Sequence, residues 1–441
     1  MTLVRDETSA ARRSASVSRG ILAALVGRGL YVVAPLVTIP ISLQHLGASD
    51  YGAWSAALAL TAITSFADLG LGVGLMTRLA AALTDRDLGR ARVLVTSAYG
   101  VATGIVAVLL AALWGSAAVV DWAALIGGRG QSDENIVLVT LSVFLFNVVA
   151  GLIVRVQYAA QQVALSNAWQ SAASLMGIAG VLAAVALDVS SPVFVLIAGA
   201  SQTAVTVINT LWFFSRGGGR QYRMSPRAFN GAEGRALIGL GSRFLFITVL
   251  ISLTMSTDPL IISHTASLTA VTEYAIPAKI FSMLATVVSA LSIPLWTANV
   301  EALRLGEWDW VQRITRKMTL LSGGVVLVLS GVAVLIAPWV IRTWLGGRIE
   351  PSVVLMVGLG LVALVQAVAA PIFMVQNAAE VLRPQTLGYL LLLLILPAKW
   401  LVVSAFGFEW IPWVTGIGYC LVVWPAAWIG YRRVLRVRAG S

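Results

Sequence analysis

Charge is what this sequence has least of. Asp, Glu, Lys and Arg make up 11% of its 441 residues, against roughly 25% in soluble domains. A water-facing surface cannot be covered at that density, so the chain has no room for a large soluble domain. Its single cysteine, Cys420, excludes an intrachain disulfide and a thiolate metal cluster. The only two histidines, His45 and His264, stand alone just after apolar runs. Isolated histidines at such places read as interfacial or structural, and a response to pH on the outer side is the other reading. No His/Cys/carboxylate group has metal spacing, and no Walker A sequence is present. No enzyme and no cofactor are therefore expected. Met1 to Arg19 is polar and lacks the apolar core of a cleavable signal peptide.

What the chain has in excess is apolar length. Residues of apolar type reach 59% and mean hydropathy is +0.89. Runs of about 20 such residues cross a hydrocarbon layer as a helix. Twelve fit, at 21–44, 52–82, 93–119, 135–158, 168–188, 192–214, 236–262, 274–300, 318–341, 352–376, 386–406 and 410–431. An all-α integral membrane protein with twelve transmembrane helices is expected.

The net charge of +11 does not point to nucleic acid, because the arginines fall in short loops. Of the 30 Lys and Arg residues, 22 lie in the tails and the connections on one side of these spans. The opposite side has Arg129, Arg342 and Arg348. The positive-inside rule makes the richer side, with both termini, cytoplasmic.

The stretch between spans six and seven, 216–235, is basic and contains Gly217-Gly218-Gly219 and Pro226. It reads as a flexible cytoplasmic linker. It separates residues 1–215 from 236–441, and the two halves repeat one another. His45 and His264, Pro40 and Pro259, and Val156-Gln157-Tyr158-Ala159-Ala160 and Val375-Gln376-Asn377-Ala378-Ala379 all share an offset of 219. Leu75-Met76-Thr77 matches Leu295-Trp296-Thr297 at nearly the same distance. Six spans separate the copies, so the halves form a parallel repeat about the membrane normal.

With Arg78, at the cytoplasmic end of span 52–82, counted in the connection that follows, five cations fall inside spans: Arg28, Arg155, Arg243, Lys279 and Lys399. A cation left at mid-span costs about 2.5–3.5 kcal/mol on insertion scales. Arg28 and Arg243 occupy like positions in the first span of each half, in Leu25-Val26-Gly27-Arg28 and Leu240-Gly241-Ser242-Arg243. Two readings are open for them. They snorkel to the cytoplasmic interface, or they face a cavity between the halves and hold an anion's oxygens in bidentate geometry. Lys279 lies one turn inside the outer end of span eight, where both readings again apply. Lys399 is deeper and follows Pro397, which bends its helix, so it reads as a cavity residue. Arg155 reads as a lipid-phosphate contact. Asp68, opening Asp68-Leu69-Gly70-Leu71-Gly72, and Asp258, before Pro259, are the intramembrane acids. Pairing with a cavity cation or exchanging a coupling ion (H+ or Na+) are the alternatives, with a local cap a third for Asp258. Trp308 and Trp310 read as an interfacial amphipathic segment.

On these residues the chain resembles polysaccharide-export flippases, the Wzx-like O-antigen branch of the multidrug/oligosaccharidyl-lipid/polysaccharide exporter superfamily. The resemblance rests on Leu46-Gly47-Ala48-Ser49-Asp50-Tyr51-Gly52-Ala53-Trp54 and Asp68-Leu69-Gly70-Leu71-Gly72 in the first half. In the second it rests on Thr257-Asp258-Pro259-Leu260-Ile261-Ile262, Glu273-Tyr274-Ala275-Ile276-Pro277 and Pro294-Leu295-Trp296. It implies two six-helix bundles forming a V around a central cavity that opens alternately to each side. The implied cargo is a lipid-diphosphate-linked oligosaccharide, moved from the cytoplasmic to the outer leaflet of a bacterial inner membrane. Arg28, Arg243, Lys399 and Lys279 are the candidates for the diphosphate, and Asp68 and Asp258 for charge pairing or a coupling ion. Partners would be the glycolipid, membrane lipids, a polysaccharide polymerase and glycosyltransferases, but no nucleic acid. A drug/cation antiporter of the same superfamily is a competing reading, though five intramembrane cations against two acids argue against a cavity for organic cations. A non-transporting scaffold for glycan assembly is the other, and it has no need of intramembrane charge.

Overall fold

The computed structural model describes residues 34–63, 70–350, 352–379 and 381–436, with side chains for all of these except 240–244, 247, 285–298, 300, 301 and 304. Every regular element among the described residues is helical. In chain order these are α1 (34–63), α2 (Leu71–Thr84), α3 (Leu88–Ser116), α4 (Gln131–Ala150), α5 (Leu152–Ala159), α6 (Val163–Ala186), α7 (Ser191–Ser215) and α8 (Gly231–Met255). Then come α9 (Asp258–Thr265), α10 (Leu268–Arg304), α11 (Trp308–Trp344), α12 (Val353–Ala378), α13 (Arg383–Leu392), α14 (Ile395–Phe406), α15 (Ile411–Gly418) and α16 (Trp424–Arg436). Eight stretches of the described residues are long and apolar enough to cross a membrane: α3, α4–α5, α6, α7, α11, α12, α13–α14 and Phe408–Arg436. They coincide with expected spans three to six and nine to twelve. Large apolar side chains point outward along them, as in α11, where Leu335 is 81% and Trp339 69% exposed. In water that surface would drive aggregation, whereas in lipid it is the solvated face. The chain is a multi-pass membrane protein.

Several breaks have a local cause. Span seven divides into α8 and α9 at Ser256 and Thr257. Pro259 has no N–H and its ring excludes the carbonyl four residues back, so the helix restarts with Pro in its first turn. Span eleven divides at Leu393 and Leu394, and Leu393 is the residue four before Pro397. In the last span a π turn, Tyr419–Val423, joins α15 to α16. Trp308 and Trp310 do not form a separate interfacial segment. They open the 37-residue α11 and pack at the edge of the second unit's core.

The chain folds as two compact units. The first comprises residues 1–47, 64–123 and 130–245, and the second 48–63, 124–129 and 246–441. Each unit has its own core. In the first, Leu71, Leu75 and Leu79 of α2 meet Leu94 and Val95 of α3, Ile153 and Val156 of α5, and Phe213 and Phe214 of α7. In the second, Val365, Ala369 and Ile372 of α12 meet Tyr389 and Leu392 of α13 and Val423, Ala427 and Tyr431 near the C-terminus.

The unit boundaries depart from the halves of the sequence repeat at 48–63 and 124–129, for a packing reason. Within the second unit Thr272 Oγ1 donates to the Ala48 carbonyl (2.6 Å). A Cβ on Gly52 would lie 1.8 Å from the Leu268 carbonyl oxygen. His264 Nε2 donates to the Ala124 carbonyl (2.9 Å). The repeat survives in the buried amides. Gln157 donates to Asn209 of α7 (2.7 Å), and Gln376, at the same repeat position, donates to the Ala427 carbonyl of α16 (2.8 Å). Both glutamines are fully buried.

The 216–235 stretch is not a flexible linker. It forms two 3₁₀ turns, Gly218–Tyr222 and Pro226–Ala228, docked on the first unit. Tyr222 is 3% exposed against Phe214. Ser225 N donates to Thr96 Oγ1 (3.2 Å), Asn230 N to Ser97 Oγ (2.9 Å), and Arg78 pairs with Glu233 at 2.8 Å. The glycines are there because the packing leaves no room. A Cβ on Gly219 would sit 2.4 Å from the Phe213 ring.

Candidate functional site

The chain break at Asp258 builds the site. Thr254 is the last residue but one of α8, so its carbonyl is among those a helix end leaves without an intrahelical partner. The bend before Pro397 sets α14 so that Lys399 meets this end. Lys399 Nζ donates to the Thr254 carbonyl at 2.8 Å and to Asp258 Oδ1 at 2.6 Å. The other carboxylate oxygen, Oδ2, accepts from the Tyr274 hydroxyl of α10 at 2.6 Å. Side-chain exposure is 0% for Lys399 and 5% for Asp258, so the pair is shielded from water on all but one side. That side opens on a cavity of about 440 Å³ within the second unit.

Asp258, Tyr274, Lys279 and Gln366 are its principal polar side chains, set among Ala59, Phe281, Leu359 and Pro412. Lys399 lies behind Asp258 and does not line it. Lys279 is accessible and, among the described residues, has no carboxylate within ion-pair distance. Neither Glu273 nor Glu409 lines the cavity. Among the described residues, one acid is thus matched by one internal cation, and a second cation has no such partner.

Arg28 and Asp68 lie outside the described residues, as does the side chain of Arg243, whose backbone belongs to α8. Arg155 is exposed and lines a shallow recess with Asn147 and Gly151. His45 Nε2 donates to the Val189 carbonyl (2.8 Å) and its ring stacks on Phe194. His264 has a carbonyl oxygen against each ring nitrogen, Leu260 at 2.8 Å and Ala124 at 2.9 Å. Among the described residues no group of three His, Cys, Asp or Glu could hold a metal ion.

The roles of Tyr274 and the Thr254 carbonyl are not visible from sequence. A signal existed: one intramembrane acid and one intramembrane base, each within two residues of a helix-breaking proline (Asp258-Pro259 and Pro397-Ala398-Lys399).

No protein-family model and no curated relative matches the sequence. Solved structures do. The fold is similar to an inward-facing multidrug resistance MATE family transporter of the MOP superfamily, with TM-score 0.73 and 15% identity over 95% of this chain and 99% of that one. It is similar to a mutant of the Vibrio cholerae MATE transporter VcmN, with TM-score 0.66 and 14% identity over 98% of both chains. A third is a MOP superfamily transporter from Pyrococcus furiosus, whose reversed binding-pocket polarity is taken to suggest a different function. There the TM-score is 0.62 and the identity 14%, over 95% of this chain and 94% of that one. The all-helical membrane fold expected from sequence is therefore that of the MATE transporters of the MOP superfamily.

Proposed function

We propose that the protein is an alternating-access transporter for an anionic amphiphile, a polyprenyl-diphosphate-linked oligosaccharide carried from the cytoplasmic to the outer leaflet. One observation carries this reading: the acid on the cavity wall, Asp258, is already neutralised by Lys399, while Lys279 has no carboxylate within ion-pair distance among the described residues. A cavity of that polarity repels organic cations and attracts phosphate. A unit charge pair at 4 Å is worth about 4 kcal/mol at an effective dielectric of 20, before desolvation. Arg28 and Arg243 remain the sequence's own candidates for the diphosphate, since a guanidinium offers the bidentate form that suits its oxygens. The glycan crosses in the hydrated cleft and the polyprenyl tail stays in lipid.

The Pyrococcus protein is a fold relative in which pocket polarity has likewise been taken to signal a change of function. The multidrug reading is favoured by the names of the other neighbours. It requires Asp258 to be freed from Lys399 before a cation can use it. The test is reconstitution in liposomes with a fluorescent lipid-diphosphate oligosaccharide. Wild type should move the glycolipid between leaflets, and the Arg28→Ala/Arg243→Ala double variant should insert normally but not move it. Normal transport by that variant, or no transport by wild type, would refute the proposal.

A further inference from the structure

The first unit holds a separate cavity of about 600 Å³ on the face that carries the α2–α3 arginines and the 216–235 stretch. Its polar wall consists of Thr84, Arg86, Gln161, Gln162, Gln221 and Tyr222. Tyr222 is 3% exposed, yet its hydroxyl has no hydrogen-bond partner. Burial pushes its pKa up to about 12, so it is an O–H donor at neutral pH. A buried, unmet donor on a cavity wall marks a place for an acceptor from outside the chain.

Two wall residues hold backbones that glycine would normally take. Arg86 has φ 57° and Gln161 φ 58°, two of the three non-glycine residues with positive φ among those described. Residues with a Cβ seldom adopt this conformation, and such strain gathers at ligand sites. Here it keeps a guanidinium and a carboxamide on the rim. Gly218 makes space for another amide, since a Cβ there would fall 2.4 Å from Gln162 Nε2. Arg92 fixes the wall by donating to the Gln221 carbonyl (3.2 Å). The nearby Asp87 carboxylate accepts from Arg90 N, and Arg86 is in none of the ion pairs among the described residues.

One guanidinium, three carboxamides and a phenol match one phosphate and several hydroxyls. We propose that this cavity binds a phosphorylated polyol, with Arg86 on the phosphate and Tyr222 and the glutamines on the hydroxyls. Two sources share that chemistry: a soluble sugar phosphate and the glycerol-phosphate headgroup of an anionic lipid.

Purified full-length protein separates them. Glucose 1-phosphate is titrated by calorimetry, and retention of phosphatidylglycerol against phosphatidylcholine is counted by native mass spectrometry from nanodiscs of each lipid. Binding of the sugar phosphate, or selective retention of phosphatidylglycerol, is expected and identifies the source. Tyr222→Phe and Arg86→Gly should each weaken it about tenfold, the loss of roughly one charged or buried hydrogen bond. Both variants should melt no lower than wild type, because one removes an unmet hydroxyl and the other relieves the φ. Failure of both probes to bind, or binding unmoved by both substitutions, would overturn the proposal.

Discussion

Replacing Lys399 by Met removes the ammonium and keeps most of the side-chain volume. It strands a carboxylate that is 5% exposed and a carbonyl at a helix end. Breaking a buried ion pair from one side costs about 3–5 kcal/mol, and Asp258→Asn should cost a similar amount by stranding the ammonium. The double variant Lys399→Met/Asp258→Asn leaves no buried charge. Its remaining defect is the unpaired Thr254 carbonyl, worth about 1–3 kcal/mol. Tyr274 keeps an acceptor in the Asn oxygen. Taking the low end for each single variant and the high end for the double still leaves a coupling of about 3 kcal/mol. Unfolding of the four proteins in mixed micelles, titrated with SDS, measures it. Single-variant losses that add to within about 0.5 kcal/mol would refute the buried pair, because residues that do not interact are additive at that level.

The docked 216–235 stretch and the repeated amides give two further expectations. Gly219→Ala forces a methyl against Phe213 and should undock the turn at a cost of about 1–3 kcal/mol. Limited tryptic cleavage at the exposed Arg220 and Arg223 should then run about tenfold faster, and an unchanged rate would count against the packing. Gln157→Leu leaves Asn209 without its buried partner and should lower stability by about 1 kcal/mol, the usual scale of interhelical hydrogen bonds in membranes. Gln376→Leu should do likewise through the Ala427 carbonyl. A loss confined to one of the two would break the structural equivalence of the halves.

Much of the fold was legible because a membrane forces helices and helices need apolar length. The bend expected at Pro397 is the break at Leu393 and Leu394, whereas span seven was expected unbroken and divides before Pro259; Pro338 and Pro371 sit inside unbroken helices, so proline alone does not decide. The 219-residue repeat marked Gln157 and Gln376, which prove to bridge the same pair of spans in each half. What pattern could not supply was contact between distant segments. Lys399 and Asp258 were both singled out, but nothing local says that residues 141 positions apart share a buried ion pair. Glycine was the other difficulty. Composition makes Gly217-Gly218-Gly219 a loose linker, whereas the structure uses those residues where a Cβ has nowhere to go. Likewise 48–63 and 124–129 sit in the first half by sequence and in the second unit by packing, through partners such as Leu268 and His264.

The sign of the cavity is the central claim, and reversing it is the most direct test. Lys279→Glu turns the cavity's uncompensated charge negative while leaving the Lys399–Asp258 pair in place. Wild type and variant should be reconstituted in the same vesicles and assayed for movement of the anionic glycolipid and for accumulation of a cationic dye. The account predicts glycolipid movement and no dye uptake by wild type, with glycolipid movement lost in the variant. Dye accumulation by wild type, or glycolipid movement indifferent to the reversal, would contradict it.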